Sequence, residues 1–427
     1  MTVSCQPAPR HSKCTARLHG DASDTAARTR AAPGTPQPEP SADHRQPATS
    51  NQQPATSNQQ QLSTATSVTP ATPASCRPGD RGARVTAPPP SQPPPQRAAV
   101  LTGVGGCLPP TVVSNDELAA RLDSSDAWIR SRTGIRQRYF AAPGTATSDL
   151  AVGAGAKALK SSGTPVVDAV LLATTTPDRP CPATAPTVAA RLGLTGTAAF
   201  DVSAVCTGFV YALATAAGLI ATGAADRVLV IGAETFSTLL DPGDRSTAVI
   251  FGDGAGAVVL RAGDPAEPGA LGPFDLGSDG GREDLITVPS GGSRQRLSGV
   301  PPQPADRYFA MDGKEVFRHA VQRMSASARA VLDRAGWAPR DVDHLVGHQA
   351  NLRITNHVAD EVGIPRPRCF SNIADVGNTA AASIPLALDQ AHNDGVLRAG
   401  GRVLLTAFGG GLTWGSTVLT WPRLDRI

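Results

Sequence analysis

The chain has 427 residues, enough for one large domain or two ordinary ones, and its formal net charge of +3 is unevenly spread. Residues 1–97 hold 17 of the 38 prolines, no Phe, Trp or Tyr, and 10 Lys+Arg against 5 Asp+Glu; the remainder has 29 against 31. The basic balance belongs to the leading segment, so net charge gives no basis for a nucleic-acid-binding face on the rest.

In residues 1–97 the heptad QPATSNQ at 46–52 is repeated at 53–59. A polar, Pro-rich stretch without aromatics cannot bury enough apolar surface to offset its chain entropy, so a disordered tail is expected. A leader read from too early a start codon is the alternative reading of this tail. From Ala98 the pattern changes. AAVLTGVGGCLPP (98–110) reads as a strand, SNDELAARLD (114–123) as a helix with a capping box, and TSDLAVGAGAKALKSSG (147–163) as a second capped helix. VDAVLLATTT (167–176) reads as a buried strand, and strands and helices then alternate to the end. This order predicts an α/β protein with mainly parallel sheets covered by helices.

DRVLVIGAE (226–234) is echoed by GRVLLTAFG (401–409), and each is followed by a Gly-rich apolar strand, 251–263 and 409–421. Two echoes in the same order predict two duplicated halves, 98–266 and 267–427, divided near Gly263–Gly272. No apolar run reads as a spanning helix or a signal peptide. Beyond residue 97 the cysteines are Cys107, Cys181, Cys206 and Cys369, with no CxxC and no metal-ligand spacing. A reducing, cytoplasmic compartment and no metal are expected.

Three residues stand at the ends of apolar strands: Cys206 in FDVSAVCTGFVYAL (200–213), His348 in DHLVGHQANLRI (343–354) and Asn378 in GNTAAASIPLALDQA (377–391). A thiol at the first turn of a helix is favoured as thiolate. A thiol, an imidazole and a carboxamide together suggest acyl transfer through a thioester, with two neutral donors holding an oxyanion. Asn378 also reads as a helix cap, and Cys206 alone as a small buried apolar residue. His319, His357 and His392 read as surface residues of polar helices. GDGAG (252–256) lacks the GxGxxG frame and precedes a strand, so it is not read as a nucleotide site.

These strings, with SDAWIRSRTGIRQR (125–138), DPGDRSTAVIFGDGAGAVVL (241–260) and AFGGGLTWGS (407–416), resemble β-ketoacyl-acyl-carrier-protein synthase III from about Ala98 to Trp421. The resemblance implies a thiolase-like fold of five αβαβα layers and a homodimer. It implies decarboxylative condensation of an acyl-coenzyme A starter with malonyl-acyl-carrier protein, with no cofactor beyond the substrates. It casts Cys206 as the acylated nucleophile, His348 and Asn378 as the enolate-binding pair, and the N–H groups of Cys206 and Gly410 as a second oxyanion hole. Trp128, Arg132 and Arg245 fall at the coenzyme A positions, Arg353 at the carrier-protein docking helix, and Cys181 and Phe408 at the acyl pocket. Cys181 stands where the best-known bacterial member has a Phe, which implies starters larger than acetyl. The nearest alternative is a same-fold enzyme priming a polyketide or passing its acyl group to another nucleophile.

Overall fold

The computed structural model describes residues 97–426, which lie in a single contact unit. The tail and its expected disorder lie outside the described residues, apart from Arg97, which pairs with Asp226. The chain runs through β1 (Ala98–Cys107), α1 (Asp126–Thr133), α2 (Thr147–Ser161), β2 (Ala169–Ala173), α3 (Ala185–Arg191) and β3 (Ala198–Val202). Then come α4 (Gly208–Ala221), β4 (Arg227–Glu234) and β5 (Gly254–Gly263). These strands form a five-stranded sheet in the order β1-β5-β4-β2-β3. The remainder contains β6 (Leu271–Ser278), α5 (Gly313–Ala335), β7 (His344–Gly347), α6 (Leu352–Val362), α7 (Ser383–Asn393), β8 (Arg402–Gly409) and β9 (Thr413–Thr420). Its sheet has the order β7-β8-β9-β6.

The layers follow from where apolar side chains go. α4, GFVYALATAAGLIA, is apolar around most of its circumference, as a helix buried on several sides must be. With α7 it packs into one core shared by both sheets: Phe209, Leu213 and Ile220 meet Leu171, Val230 and Val258 on one side and Val346, Leu405 and Leu419 on the other. α2 and α3 cover the outer face of the first sheet, through Leu150, Ala154 and Val188. α5 and α6 cover the outer face of the second, through Met324, Val331 and Val358. The result is five layers, helix–sheet–helix–sheet–helix.

The sheets are mixed, not mainly parallel. β4/β2, β2/β3 and β7/β8 run parallel, whereas β1/β5, β4/β5, β8/β9 and β9/β6 run antiparallel. The Gly-rich strands β5 and β9 each return beside the strand before them without a crossover helix, which alternation of elements could not reveal. The echoed segments do fold alike, as the antiparallel pairs β4/β5 and β8/β9. Two histidines differ from expectation. His319 lies 4% exposed on the buried stripe of α5, and His392 lies 5% exposed with its ring 6.0 Å from that of Trp421. Among the described residues no helix is long and apolar enough to cross a membrane.

β5 carries glycine where α7 crosses it. A Cβ added at Gly256 would lie 2.5 Å from Leu386 N and 2.6 Å from Pro385 C, both backbone atoms that cannot swing away. Gly256→Ala should therefore force α7 outward and lower stability by about 1–3 kcal/mol, read as a fall in the denaturant midpoint. An unchanged midpoint would mean that the two layers are not in such close contact.

Candidate active site

The chain leaves β3 and turns sharply before α4. Val205 holds φ 47°, a left-handed conformation that a β-branched residue adopts only under constraint. The 3-10 turn Val205–Thr207 then delivers Cys206, 8% exposed, to the N-terminal end of α4. Hydrogen bonds to the start of β9 fix this turn: Thr207 Oγ1 donates to Thr413 O (3.2 Å) and Thr413 Oγ1 to Ala204 O (3.2 Å). The end of β8 presses on the same turn. A Cβ at Gly409 would meet Cys206 N at 2.8 Å and Cys206 Cβ at 3.2 Å, and one at Gly410 would meet Val205 Cγ2 at 3.2 Å.

Asn378 lies on the facing side. Its N–H donates to Ile250 O and its carbonyl accepts from Gly252 N, both at 2.9 Å, so the main chain is stitched beside Phe251. Its side-chain Oδ1 accepts from Ala380 N at 2.9 Å, which commits that oxygen and leaves the Nδ2 hydrogens as the group on offer. The cap reading of Asn378 is thus correct locally and also orients the amide. Ala380, at φ 44°, is the other non-glycine residue with positive φ among the described residues, and it packs in the apolar cluster of Cys206. His348 extends the β7/β8 ladder through its N–H to Thr406 O (2.8 Å), and its Nδ1 lies 2.6 Å from Ser383 Oγ, five residues past Asn378. The segment 378–383 therefore carries Asn378, shares the apolar cluster of Cys206 through Ala380 and holds His348 through Ser383.

Burial sets the charges. It pulls the His348 imidazole down to about 3, so the ring is neutral at physiological pH. It pushes the Cys206 thiol up, and the nearby Glu234 carboxylate pushes it further, so the resting side chain is a thiol and not the expected thiolate. Glu234 was not singled out from the sequence; its one signal is a lone acid ending the apolar run of β4. It is fully buried and accepts from Thr175 N (3.0 Å), Thr176 N (3.1 Å) and Thr176 Oγ1 (2.7 Å), while burial raises it to about 7.

Trp128 and Arg245 come together, the guanidinium 5.4 Å from the ring centroid, with Arg245 also donating to Asp123 O at 2.6 Å. A planar base between them would need two van der Waals spacings of about 3.5–4 Å, so Arg245 must swing aside to admit one. Arg132, one turn beyond Trp128, is exposed, and its carbonyl accepts from Asn351 Nδ2 at 3.0 Å. Asn351 also caps α6 and so ties α1 to the loop after His348. Arg353 is exposed on the first turn of α6, 5.4 Å from the Phe317 ring centroid.

Two expected pocket residues lie elsewhere within the chain. Cys181 is exposed, in the loop after β2. Phe408 packs with Met324, Leu404 and Leu412 under α5 and α6, because alternation along β8 sends Ala407 to the central core and Phe408 to the opposite face. The apolar wall at Cys206 is instead Phe236, Leu240, Phe251 and Phe309, with the first two phenylalanine rings, Phe236 and Phe251, stacked at 4.2 Å. These residues are far apart in sequence, and scattered Phe gave no signal. Among the described residues no group of three His, Cys, Asp or Glu is placed to hold a metal.

His348 should show no imidazole titration by NMR between about pH 5 and 8, where an ordinary histidine titrates near 6.5. The linkage sign follows: the unfolded chain takes up this proton below about 6.5 and the native state only near 3, so stability is lost as pH falls through that window. A midpoint near 6.5 for His348 would contradict the buried, neutral assignment.

Comparison with known proteins matches this arrangement to one family. The model described as 3-oxoacyl-[acyl-carrier-protein] synthase III matches residues 200–280, and that of its C-terminal part matches 332–421. β-Ketoacyl-[acyl-carrier-protein] synthase III 3 of Streptomyces coelicolor is 68% identical over 333 residues, 78% of this chain and 99% of the relative. The synthase III of Pseudomonas aeruginosa is 58% identical over 328 residues, 77% of this chain and 98% of the relative. The crystal structure of the Pseudomonas aeruginosa enzyme superposes with a TM-score of 0.72 at 57% identity, covering 77% of this chain and 100% of that one. A priming β-ketosynthase from a polyketide pathway gives 0.73 at 36% identity, covering 79% and 100%. The chain belongs to the β-ketoacyl-[acyl-carrier-protein] synthase III family, acyl-transferring condensing enzymes that initiate fatty-acid synthesis on a thiolase-like fold.

Proposed function

We propose that Cys206 takes the acyl group from acyl-coenzyme A and that His348 and Asn378 activate malonyl-acyl-carrier protein. In the first half, the Cys206 sulfur attacks the thioester carbonyl and the coenzyme A thiol leaves with the proton that Cys206 gives up. The N–H groups of Cys206 and Gly410 hold the oxyanion; the contact of residues 409 and 410 with the Cys206 turn supports this. In the second half, malonyl-acyl-carrier protein loses CO2, and the enolate oxygen is held by His348 Nε2–H and Asn378 Nδ2–H. The enolate carbon attacks the acyl carbonyl, and Cys206 leaves as thiolate and takes up one proton. This chemistry calls for no metal or redox cofactor. The single observation that carries the reading is the segment 378–383, which joins Cys206, His348 and Asn378 and leaves neutral donors on the last two. Trp128, Arg132 and Arg245 would hold coenzyme A, as a ring face and cations suit a base and phosphates. Arg353 would receive the acidic carrier protein. Incubation with acyl-coenzyme A should add one acyl mass at Cys206, and Cys206→Ser should abolish both the adduct and condensation. Full condensation by that variant would overturn the mechanism.

We also propose a homodimer. Among the described residues β3 pairs with β2 alone, so its outer edge is open there, and Phe200 on it is 38% exposed. Asp201 on this strand accepts from Thr184 N (2.8 Å) and Ala185 N (2.7 Å), which anchors the exposed Cys181 loop to the same side. An acyl-pocket role for Cys181 would then be played across the interface. Sedimentation should give a dimer for the wild type and a monomer for Phe200→Asp; a monomeric wild type at micromolar concentration would contradict the proposal.

A further inference from the structure

His348 Nδ1 has one hydrogen-bond partner among the described residues, the hydroxyl of Ser383, at 2.6 Å. Both residues are buried, 3% and 1% exposed, so bulk water does not compete for the contact between them. A neutral imidazole has one N–H and one lone pair, and a hydroxyl has one hydrogen to give. Two arrangements fit the distance. If Nδ1–H donates to Ser383, the serine hydrogen needs a second buried acceptor, and no other partner of Ser383 Oγ is recorded among the described residues. If Ser383 O–H donates to Nδ1, each group is used once and the ring proton sits on Nε2. In the second arrangement the hydrogen left over is Nε2–H, and that nitrogen is not among the enclosed, unpartnered polar atoms of the described residues, so it stays open to substrate, whereas the Ser383 hydrogen left over in the first would be buried.

We propose that Ser383 is a positioning residue that holds His348 in the tautomer with its proton on Nε2. This rests on the enolate-binding role given to His348 above. The choice has a chemical consequence. With Nε2–H the ring is a donor to a developing enolate oxygen; with a bare Nε2 it would be a base suited to the Cys206 thiol. Ser383 selects the donor. It stands at the start of α7, immediately after the turn in which Ala380 N–H fixes the amide of Asn378. One stretch of six residues, 378–383, thus sets the polarity of both side chains: Ala380 commits the oxygen of Asn378, and Ser383 commits the lone pair of His348.

The test has two arms on the full-length enzyme. In the first, wild-type protein labelled with 15N-histidine, with His348 assigned by comparison with His348→Gln, should show a protonated Nε2 and a hydrogen-bonded, unprotonated Nδ1. A proton on Nδ1 overturns the proposal, and this arm needs no Ser383 variant to fold. In the second, CO2 release from malonyl-acyl-carrier protein and acyl loading of Cys206 are measured separately. Ser383→Ala should lower kcat for CO2 release by about three- to tenfold, as loss of one neutral hydrogen bond does, with KM and acyl loading unchanged. Ser383→Thr, which keeps the hydroxyl, should recover most of that loss. A purely structural role would lower both half-reactions together, and that result, or wild-type CO2 release in Ser383→Ala, overturns the proposal. His348→Ala separates the two claims. If it retains wild-type CO2 release, the role of His348 itself falls; if it loses CO2 release while Ser383→Ala does not, only the role of Ser383 falls.

Discussion

The site depends on two strained turns held against each other. Val205 at φ 47° and Ala380 at φ 44° adopt a conformation that costs side-chain-bearing residues of order 1–3 kcal/mol each. Neither is glycine, so the surrounding packing must impose the shape. For Val205 the constraint is visible: the Thr207–Thr413 hydrogen bonds and the β8 end at Gly409 grip the turn from the second sheet. For Ala380 it is the Asn378 backbone, bonded on both sides to Ile250 and Gly252 in the segment that leads into β5. Each turn is therefore built by one half of the molecule and clamped by the other. On the proposed mechanism the chemistry sits at that reciprocal seam, and separation of the halves would remove Cys206 from Asn378 and His348 at once.

Low dielectric surroundings then decide which form each group takes. Burial keeps the imidazole neutral and the thiol protonated, and it holds Glu234 near the point of half-protonation at neutral pH. On the proposed mechanism, a neutral His348 donates a hydrogen bond without leaving a positive charge to be neutralised as the enolate collapses. If Cys206 is the acylated nucleophile as proposed, its protonated resting state places the proton transfer within the acylation step. Glu234 acts against the thiolate through its charge while its hydrogen bonds fix the Thr174–Thr176 turn; its position makes the Cys206 environment sensitive to the carboxyl's own state.

Much of this was legible in the sequence, where local pattern and local function coincide. Ser114 caps its helix by accepting from Glu117 N, one half of the expected capping box, VDAVLLATTT contains a fully buried strand, and the echo of 226–234 in 401–409 appears as two equivalent antiparallel strand pairs. Cys206 and His348 each follow a strand end, where buried sheets expose chemistry, whereas Asn378, expected at a strand end too, follows the short helix Ile373–Val376 and makes only an isolated bridge to Phe251. What stayed hidden is what only three-dimensional packing creates. Mixed strand directions depend on where β5 and β9 insert. The burial of His319 and His392 depends on helix faces wider than their polar neighbours suggest. Phe408 was assigned by motif, but strand alternation turns it away from Cys206. The thiolate expected from the helix end took no account of desolvation or of Glu234, which lies 28 residues away in sequence.

The central claim is that one site performs two separable half-reactions, with Asn378 serving only the second. The direct measurement is acyl loading of Cys206 by intact-protein mass spectrometry, taken side by side with CO2 release from malonyl-acyl-carrier protein, in Asn378→Ala. The account predicts near wild-type loading with CO2 release lower by on the order of 10²–10³, the usual cost of one oxyanion donor. Equal loss of both half-reactions, or loss of neither, would contradict it.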